Sequence, residues 1–146
     1  MNKTTPADAC PLHGAGLAPQ ALIGRRLTKV VAAWHWQDPD QRSGPVDVWL
    51  IDDGEGCVRI TTGSDWCLIV EASEPYGGYD MGGLGRVTVE QDAAETPLAD
   101  IIGYRVLHAQ EDFEPLTGRI ALDLTFPTGR VRCESHAGEL RLRRLP

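Results

Sequence analysis

Apolar and polar residues alternate along several short stretches of the chain, at the period of a strand with one buried face. The clearest is residues 120–126, Ile-Ala-Leu-Asp-Leu-Thr-Phe, after which a Pro-Thr-Gly turn interrupts the pattern. Such stretches, separated by turns rich in Gly, Pro and Asp, predict about eight strands at 27–36, 46–52, 57–61, 66–71, 104–109, 120–126, 131–134 and 140–143. Short hairpin connections favour antiparallel pairing. The pattern predicts a mainly β protein, either an antiparallel sandwich or a partly closed barrel.

Two parts of the chain resemble each other. Residues 22–27, Leu-Ile-Gly-Arg-Arg-Leu, match residues 101–106, Ile-Ile-Gly-Tyr-Arg-Val, and a short helical turn is predicted just before each of these segments. Further along, residues 56–60 match residues 129–133, each beginning with glycine. The sequence therefore predicts two duplicated four-stranded meanders with one or two short helical turns.

The repeat suggests how the chain is organised. Residues 1–18 are polar and predict a flexible N-terminal tail, and residues 19–146 predict one pseudo-symmetric β domain, because one repeat alone would bury little surface. Copy one covers about 19–71, a glycine-rich connector covers 72–99, and copy two covers about 100–146.

The two copies differ on one predicted sheet face. Aligning Gly56 with Gly129 and keeping that spacing places Trp49 and Ile51 opposite Leu122 and Leu124, so we expect these four residues to face inward. The opposite face is apolar in copy one and largely charged in copy two, and such an apolar face needs a cover. The connector, a partner protein or a second chain of the same protein would cover this face. The apolar residues are Val48, Leu50, Trp66, Leu68 and Val70.

Charge and cysteine content narrow the classes of partner and compartment. The chain has 14 Lys and Arg against 21 Asp and Glu, a net charge of −7 that argues against nucleic acid and favours a basic protein partner. No apolar run has the length of a signal-peptide core or a membrane span, so we expect a cytoplasmic protein that does not bind a membrane. In that compartment the four cysteines are expected to be reduced.

Catalytic and metal-binding motifs are weak. Cys10 with His13, and Cys133 with His136, each have the Cys-x-x-His spacing, but Cys133 falls on an inward strand position and a residue three further along a strand points to the other face. The glycine-rich residues 76–85 lack the Lys-Ser or Lys-Thr of a phosphate loop, and no Gly-x-Ser-x-Gly is present. We therefore expect no metal, no cofactor and no enzymatic activity.

Without catalytic residues, the chain is best interpreted as a protein-binding module. One alternative is a barrel that binds a small ligand with the four inward residues, Trp49, Ile51, Leu122 and Leu124. Another is a structural homodimer that buries the apolar face of copy one.

In several features the chain resembles the small immunity proteins of bacterial polymorphic toxin systems. These features are the acidic segments 52–55 and 111–114, the tryptophan-rich first copy, and a final meander containing Gly-Glu-Leu-Arg-Leu at 138–142. The resemblance implies that the chain binds a cognate toxin domain acting in the cytoplasm and occludes its active site. Aromatic anchors and acidic side chains would then face a basic cleft. The predicted partner-binding residues are Trp36, Asp52, Asp53, Glu55, Tyr79, Asp80, Glu111, Asp112 and Glu114.

Overall fold

The alternating stretches form ten strands in a computed structural model that describes residues 16–91 and 93–146. The expected flexible tail, together with Cys10 and His13, lies outside the described residues except for 16–18. The strands are β1 (Leu27–Asp38), β2 (Gln41–Asp52), β3 (Cys57–Thr62), β4 (Leu68–Ala72), β5 (Tyr79–Asp80), β6 (Arg86–Gln91), β7 (His108–Glu114), β8 (Gly118–Phe126), β9 (Gly129–His136) and β10 (Glu139–Leu145). Single 3-10 turns occur at Pro19–Leu22, Gly82–Leu84, Ala93–Glu95 and Ala99–Ile101.

The strands make two antiparallel sheets that do not close into a barrel. Sheet one has six strands in the order β4-β3-β2-β1-β6-β5, and sheet two has four in the order β10-β9-β8-β7. Each sheet therefore contains a four-stranded meander, and sheet one is extended by β6 and β5 from the connector. The prediction of a mainly β antiparallel protein is confirmed, in its sandwich form.

The main core lies between the two meanders. Strand β8 lies against β4, β9 against β3, and β10 against β2. Val48 and Leu50 of sheet one and Leu122 and Leu124 of sheet two are among its fully buried side chains. Burying an aliphatic side chain of this size contributes about 1.5 to 3 kcal/mol, so this shared core holds the sheets together.

The predicted alignment of the two copies is wrong by one residue at β2. Val48 pairs with Ile60 as Leu122 pairs with Cys133, so Val48 is the residue equivalent to Leu122. The cause is the turn after β2, where three residues, 53–55, replace the two residues, 127 and 128, that follow β8. Because side chains alternate along a strand, a shift of one residue exchanges the two faces.

This shift changes what covers the apolar face of copy one. Val48, Leu50, Leu68 and Val70 form part of the main core beneath sheet two, and only Trp66 of the predicted set is exposed. Copy two of the repeat therefore covers this face. Neither the connector, a partner nor a second chain is needed to cover it. A dimer built on this face is excluded by its burial.

Trp49 is buried on the opposite side of sheet one. It packs with Ala33 and Val87 in a second small core. Tyr76 covers this core with its ring edge, 5.0 Å from the Trp49 ring between centroids and inclined by 81°, and its hydroxyl hydrogen-bonds to Asp47. Trp49 and Leu122 thus lie in different layers, so the predicted barrel interior that both would line does not exist.

The matched segments of the two copies pair with each other. The Gly24 N–H donates to the Val106 carbonyl at 2.8 Å, and the Gly103 N–H donates to the Leu27 carbonyl at 2.6 Å. Both glycines have a φ near +90°, which glycine adopts without a steric penalty. These reciprocal bonds join the starts of the two meanders around a local two-fold arrangement.

Cys67 is buried and disulfide-bonded, whereas Cys57 and Cys133 are free. The expectation of reduced thiols is therefore wrong for Cys67. Burial raises the pKa of the Cys133 thiol to about 12, so this sulfur is protonated and unreactive in the folded protein. Within residues 16–91 and 93–146, no helix has the length and apolarity needed to cross a membrane.

Candidate protein-binding surface

Trp36, Tyr79 and Asp80, three of the predicted partner-binding residues, lie at the same edge of sheet one. Strand β5 forms this edge, and β6 connects it to β1. Arg86 is the register neighbour of both Asp80 and Trp36, so these three side chains occupy one face. Tyr79 is paired with Val87 and lies on the other face, next to Tyr76. We call this edge the β5-edge surface, defined by Trp36, Tyr79, Asp80, Met81, Leu84 and Arg86.

Several contacts hold the Trp36 side chain in one orientation. Its Nε1 donates a hydrogen bond to Thr88 Oγ1 at 2.9 Å. The guanidinium carbon of Arg86 lies 4.7 Å from the ring centroid, and that of Arg42 lies 5.7 Å away. Cation–π contacts of this kind contribute about 0.5 to 1 kcal/mol each at exposed sites. Trp36 and Asp80 also line a shallow cavity of about 300 Å³.

Arg42 links Trp36 to the interior. Its guanidinium carbon lies 3.7 Å from the centroid of the buried Trp34 ring, and its head group forms an ion pair with Glu95. The Arg42 guanidinium therefore contacts both the Trp34 ring and the Glu95 carboxylate, and these contacts restrain all three side chains. This contact ties the β1–β2 hairpin to the loop that precedes copy two.

The segment between β5 and β6 presents large apolar side chains to solvent. Tyr79 is 50% exposed, Met81 is 37% exposed and Leu84 is 71% exposed. The backbone beneath them is fixed, because the Leu84 carbonyl lies 2.7 Å from His35 Nε2. Gly85 has a φ of +98°, and a Cβ there would collide with the Trp36 carbonyl, so only glycine lets this segment approach β1 so closely.

Two carboxylates lie next to Trp36 at this edge. Asp80 accepts a hydrogen bond from the Gly82 N–H at 2.6 Å, and Asp38 accepts one from the Asp40 N–H at 3.0 Å. Asp38 and Asp80 both line the cavity next to Trp36. The surface therefore combines aromatic and aliphatic area with carboxylates on the Trp36 side of the edge.

The predicted residues Asp52, Asp53 and Glu55 lie at the far end of β2. Asp52 lies ten positions further along β2 than Arg42, which corresponds to about 33 Å in a regular strand. Asp52 is nearly buried and accepts hydrogen bonds from the Gly54 and Gly56 N–H groups, both at 2.9 Å. Its carboxylate shapes the turn, while Asp53 and Glu55 are exposed.

Glu111, Asp112 and Glu114 belong to strand β7, which begins at His108, so the strand predicted at 104–109 is placed too early in the chain. Glu111 bonds to the buried Arg119 at 2.8 Å. Asp112 bonds to Arg132 at 2.8 Å, and Glu114 is exposed. These three carboxylates therefore have different neighbours. The two acidic segments do not lie on one surface with Trp36.

Arg132 is the centre of a charged network on the outer face of sheet two. It contacts Asp112, Asp123 and Glu134 at 2.8, 3.1 and 2.7 Å. Partial burial acts to raise the pKa of Glu134. The hydrogen bond from Arg132 and the charge of Arg143 outweigh this effect, so the pKa of the Glu134 carboxyl lies below its ordinary value.

The contribution of Glu134 to stability is expected to depend on pH. A carboxyl whose pKa is lowered by folding stabilises the protein above its unfolded-state value, and this stabilisation is lost as the pH falls through the lowered folded-state value. Glu134→Gln should therefore lower the free energy of unfolding near neutral pH. The difference from the parent protein should shrink below about pH 4.5, the ordinary value for glutamate. Urea unfolding at several pH values measures it, and a difference that grows toward acid would contradict this assignment.

Sequence reasoning missed Met81, Leu84, Arg42 and Arg86 at this site. The two arginines are neighbours of aromatic residues only through the pairing of different strands. Their contacts with the aromatic rings therefore depend on strand register, which the sequence does not show. Met81 and Leu84 were visible as apolar residues within a glycine-rich segment. Their exposure depends on the short turn at Gly82–Leu84 that holds them away from both cores.

The fold and this edge define a two-sheet β protein with an exposed aromatic and aliphatic surface. No protein-family model, curated protein or solved structure matches the chain. In the part of the chain that the structure describes, no three His, Cys, Asp or Glu side chains are grouped in a way that could hold a metal ion.

Proposed function

We propose that this chain is a non-catalytic protein-binding module whose partner contacts the β5-edge surface. The observation that carries the proposal is the exposure of Tyr79, Met81 and Leu84 at this edge. Trp36 and the two arginines that contact it lie at the same edge, on the opposite face from Tyr79. Side chains of this size forgo burial in the free protein, so a partner that covers them gains free energy.

The composition of the surface supports a protein as the ligand. Tyr, Trp, Met and Arg are enriched in protein interfaces, and rigid aromatic residues lose little conformational entropy on binding. Trp36 is fixed before any partner arrives, because Thr88, Arg42 and Arg86 hold its ring. Such preorganisation reduces the entropic cost of association.

The charge supports a basic partner. The chain carries a net charge of −7, and Asp38 and Asp80 line the cavity next to Trp36. Complementary charge speeds encounter and selects against acidic competitors. The same charge opposes binding to nucleic acid.

The specific form of the proposal is an immunity protein that occludes a toxin domain acting in the bacterial cytoplasm. It rests on the class-level resemblance of the acidic segments, the tryptophan-rich copy one and the final meander. The β5-edge surface supports it by offering an apolar anchor with carboxylates on the Trp36 side of the edge. The two alternatives are weakened, because most of the residues proposed to line a barrel or a dimer interface are core residues of a single chain. The exceptions are Ile51, which packs against the outer core, and Trp66, which is exposed.

The test is capture of the tagged protein's partner from the native lysate, followed by affinity measurements with surface variants. Tyr79→Ala and Leu84→Ala should each weaken binding by about tenfold or more, because anchor side chains at the centre of an interface typically contribute over 1 kcal/mol. Both side chains are exposed, so circular dichroism and the unfolding midpoint should be unchanged.

Leu116→Ala is the matched control. Leu116 is 91% exposed in the turn between β7 and β8, and its replacement should leave the affinity unchanged. Equal affinity of the parent, Tyr79→Ala and Leu84→Ala proteins would exclude the β5-edge surface. Recovery of the tagged protein without any stoichiometric partner would count against the protein-binding function.

A further inference from the structure

The free edge of sheet two borders a groove that is separate from the β5-edge surface. We propose that the edge of β10 binds an extended peptide segment in which apolar and acidic residues alternate, by adding that segment to sheet two as a further strand. This goes beyond the proposed function, since it names a second binding site and the chemical pattern of its ligand.

Strand β10 has hydrogen-bonding groups available along one side. It pairs only with β9 among the strands described, through a two-residue turn in which Ala137 and Gly138 have φ values of 52° and 88°. In such a hairpin the residues flanking the turn form the first hydrogen-bonded pair, and alternate residues point their N–H and C=O groups outward. Leu140 and Leu142 are the outward-bonding residues of β10.

The groove beside this edge has a volume of about 650 Å³. Its other wall is the loop at residues 95–97, and its floor is the first part of β2, at residues 43–46. This volume falls within the range of roughly 300 to 1,000 Å³ typical of ligand pockets. The Arg42 and Glu95 ion pair holds the loop against β2, so the groove is formed before any ligand binds.

The two faces of β10 set the pattern of the ligand. Leu140 and Leu142 face the core, and an added strand would direct its own residues on that face toward Val46 and Pro97. These neighbours are apolar, which favours apolar ligand side chains. Strand addition of this kind obtains affinity from the backbone and specificity from alternate side chains.

The other face favours acidic ligand side chains. Arg141 and Arg143 have side chains that are 51% and 57% exposed. Arg141 contacts the exposed Glu139 at 3.4 Å, and such exposed pairs contribute little. Arg143 contacts the largely buried Glu134 at 3.5 Å, and about half of the arginine side chain stays exposed. Carboxylates placed directly across from both arginines would add favourable cross-strand pairs.

The same charges oppose pairing with a second copy of this chain. A symmetric antiparallel pairing of two β10 edges around Leu142 would place Arg141 of one copy opposite Arg143 of the other. Like charges directly opposite each other destabilise a sheet, and natural edge strands use such charges against self-association. In this register the edge opposes pairing with its own copy, whereas an acidic strand would place carboxylates across from both arginines.

The experiment titrates isotope-labelled full-length protein with a short blocked peptide in which glutamate and valine alternate. Amide shifts and slowed hydrogen exchange should concentrate on Leu140 and Leu142. A peptide of the same composition with its valines grouped should bind about tenfold more weakly, because it cannot fill both faces. An alternating lysine and valine peptide should be weaker by a similar factor.

Two variants test the mechanism. Val46→Lys, in the floor of the groove, should abolish the peptide effect, and the pair Arg141→Glu with Arg143→Glu should reverse the preference between the glutamate and lysine peptides. Tyr79→Ala should leave peptide binding unchanged, which separates this site from the β5-edge surface. Equal affinity for alternating and grouped peptides, amide shifts elsewhere on the protein, or dimerisation through β10 would each overturn the proposal.

Discussion

Replacement of Glu111 by alanine is expected to lower the free energy of unfolding by about 1 to 3 kcal/mol. Arg119 is only 3% exposed, and its guanidinium bonds to the Glu111 carboxylate at 2.8 Å and to the Leu68 carbonyl at 3.1 Å. The variant removes one carboxylate that compensates a buried positive charge. Removing such a partner is costly because the buried charge loses a contact that had replaced its solvation.

Glu114→Ala is the matched control on the same strand, since Glu114 is exposed. Its effect should stay within about 0.5 kcal/mol. Urea unfolding followed by circular dichroism measures both variants. Equal stability of the two would show that Glu111 has no structural role, and would return it to the set of residues free to contact a partner.

Trp49→Ala is expected to cost about 3 to 5 kcal/mol, the range for removing a large aromatic side chain from a core. Trp49 is fully buried on the outer side of sheet one, beneath Tyr76. The loss should have a local signature as well, because Tyr76 anchors the segment that leads to β5. We expect faster proteolysis of this segment, around residues 73–80, than in the parent protein.

Two substitutions separate burial from residue type. Trp66→Ala removes the same side chain from an exposed position, 57% accessible, and should cost far less. Trp49→Phe should also cost less than Trp49→Ala, because it keeps a ring against Tyr76 and the Trp49 Nε1 has no hydrogen-bond partner among residues 16–91 and 93–146. Equal losses for Trp49→Ala and Trp66→Ala would contradict the outer core.

The strands themselves were predictable from the sequence because each depends on local alternation. Seven of the eight predicted strands correspond to strands of the structure, and residues 120–126 lie within β8. The strand predicted at 104–109 is largely wrong, since it shares only residues 108 and 109 with β7. The faces of β2 were not predictable in the same way. Which residues of β2 face the main core depends on whether the turn after the strand contains two or three residues. The alignment that starts at Gly56 crosses this turn, and it therefore assigned Trp49 to the face that Val48 occupies.

The residues of the candidate site show the same difference between what residue type predicts and what the tertiary structure decides. Trp36, Tyr79 and Asp80 were chosen for their residue types, and the structure brings them to one edge. Asp52 and Glu111 were chosen on the same grounds, as acidic residues, and both are engaged within the chain. A carboxylate in a sequence is equally compatible with solvent, a turn or a buried arginine, and only its neighbours in space distinguish them.

By itself the sequence determined the β class, the approximate strands and the net charge, because these depend on residue type and on spacing within a few positions. Tertiary structure decided which sheet face became the main core, that the second copy covers the first, and that the acidic segments stay apart. It also decided that Tyr79, Met81 and Leu84 face solvent and that β10 has an open edge. These properties depend on contacts between residues distant in the chain, whose register no local pattern specifies.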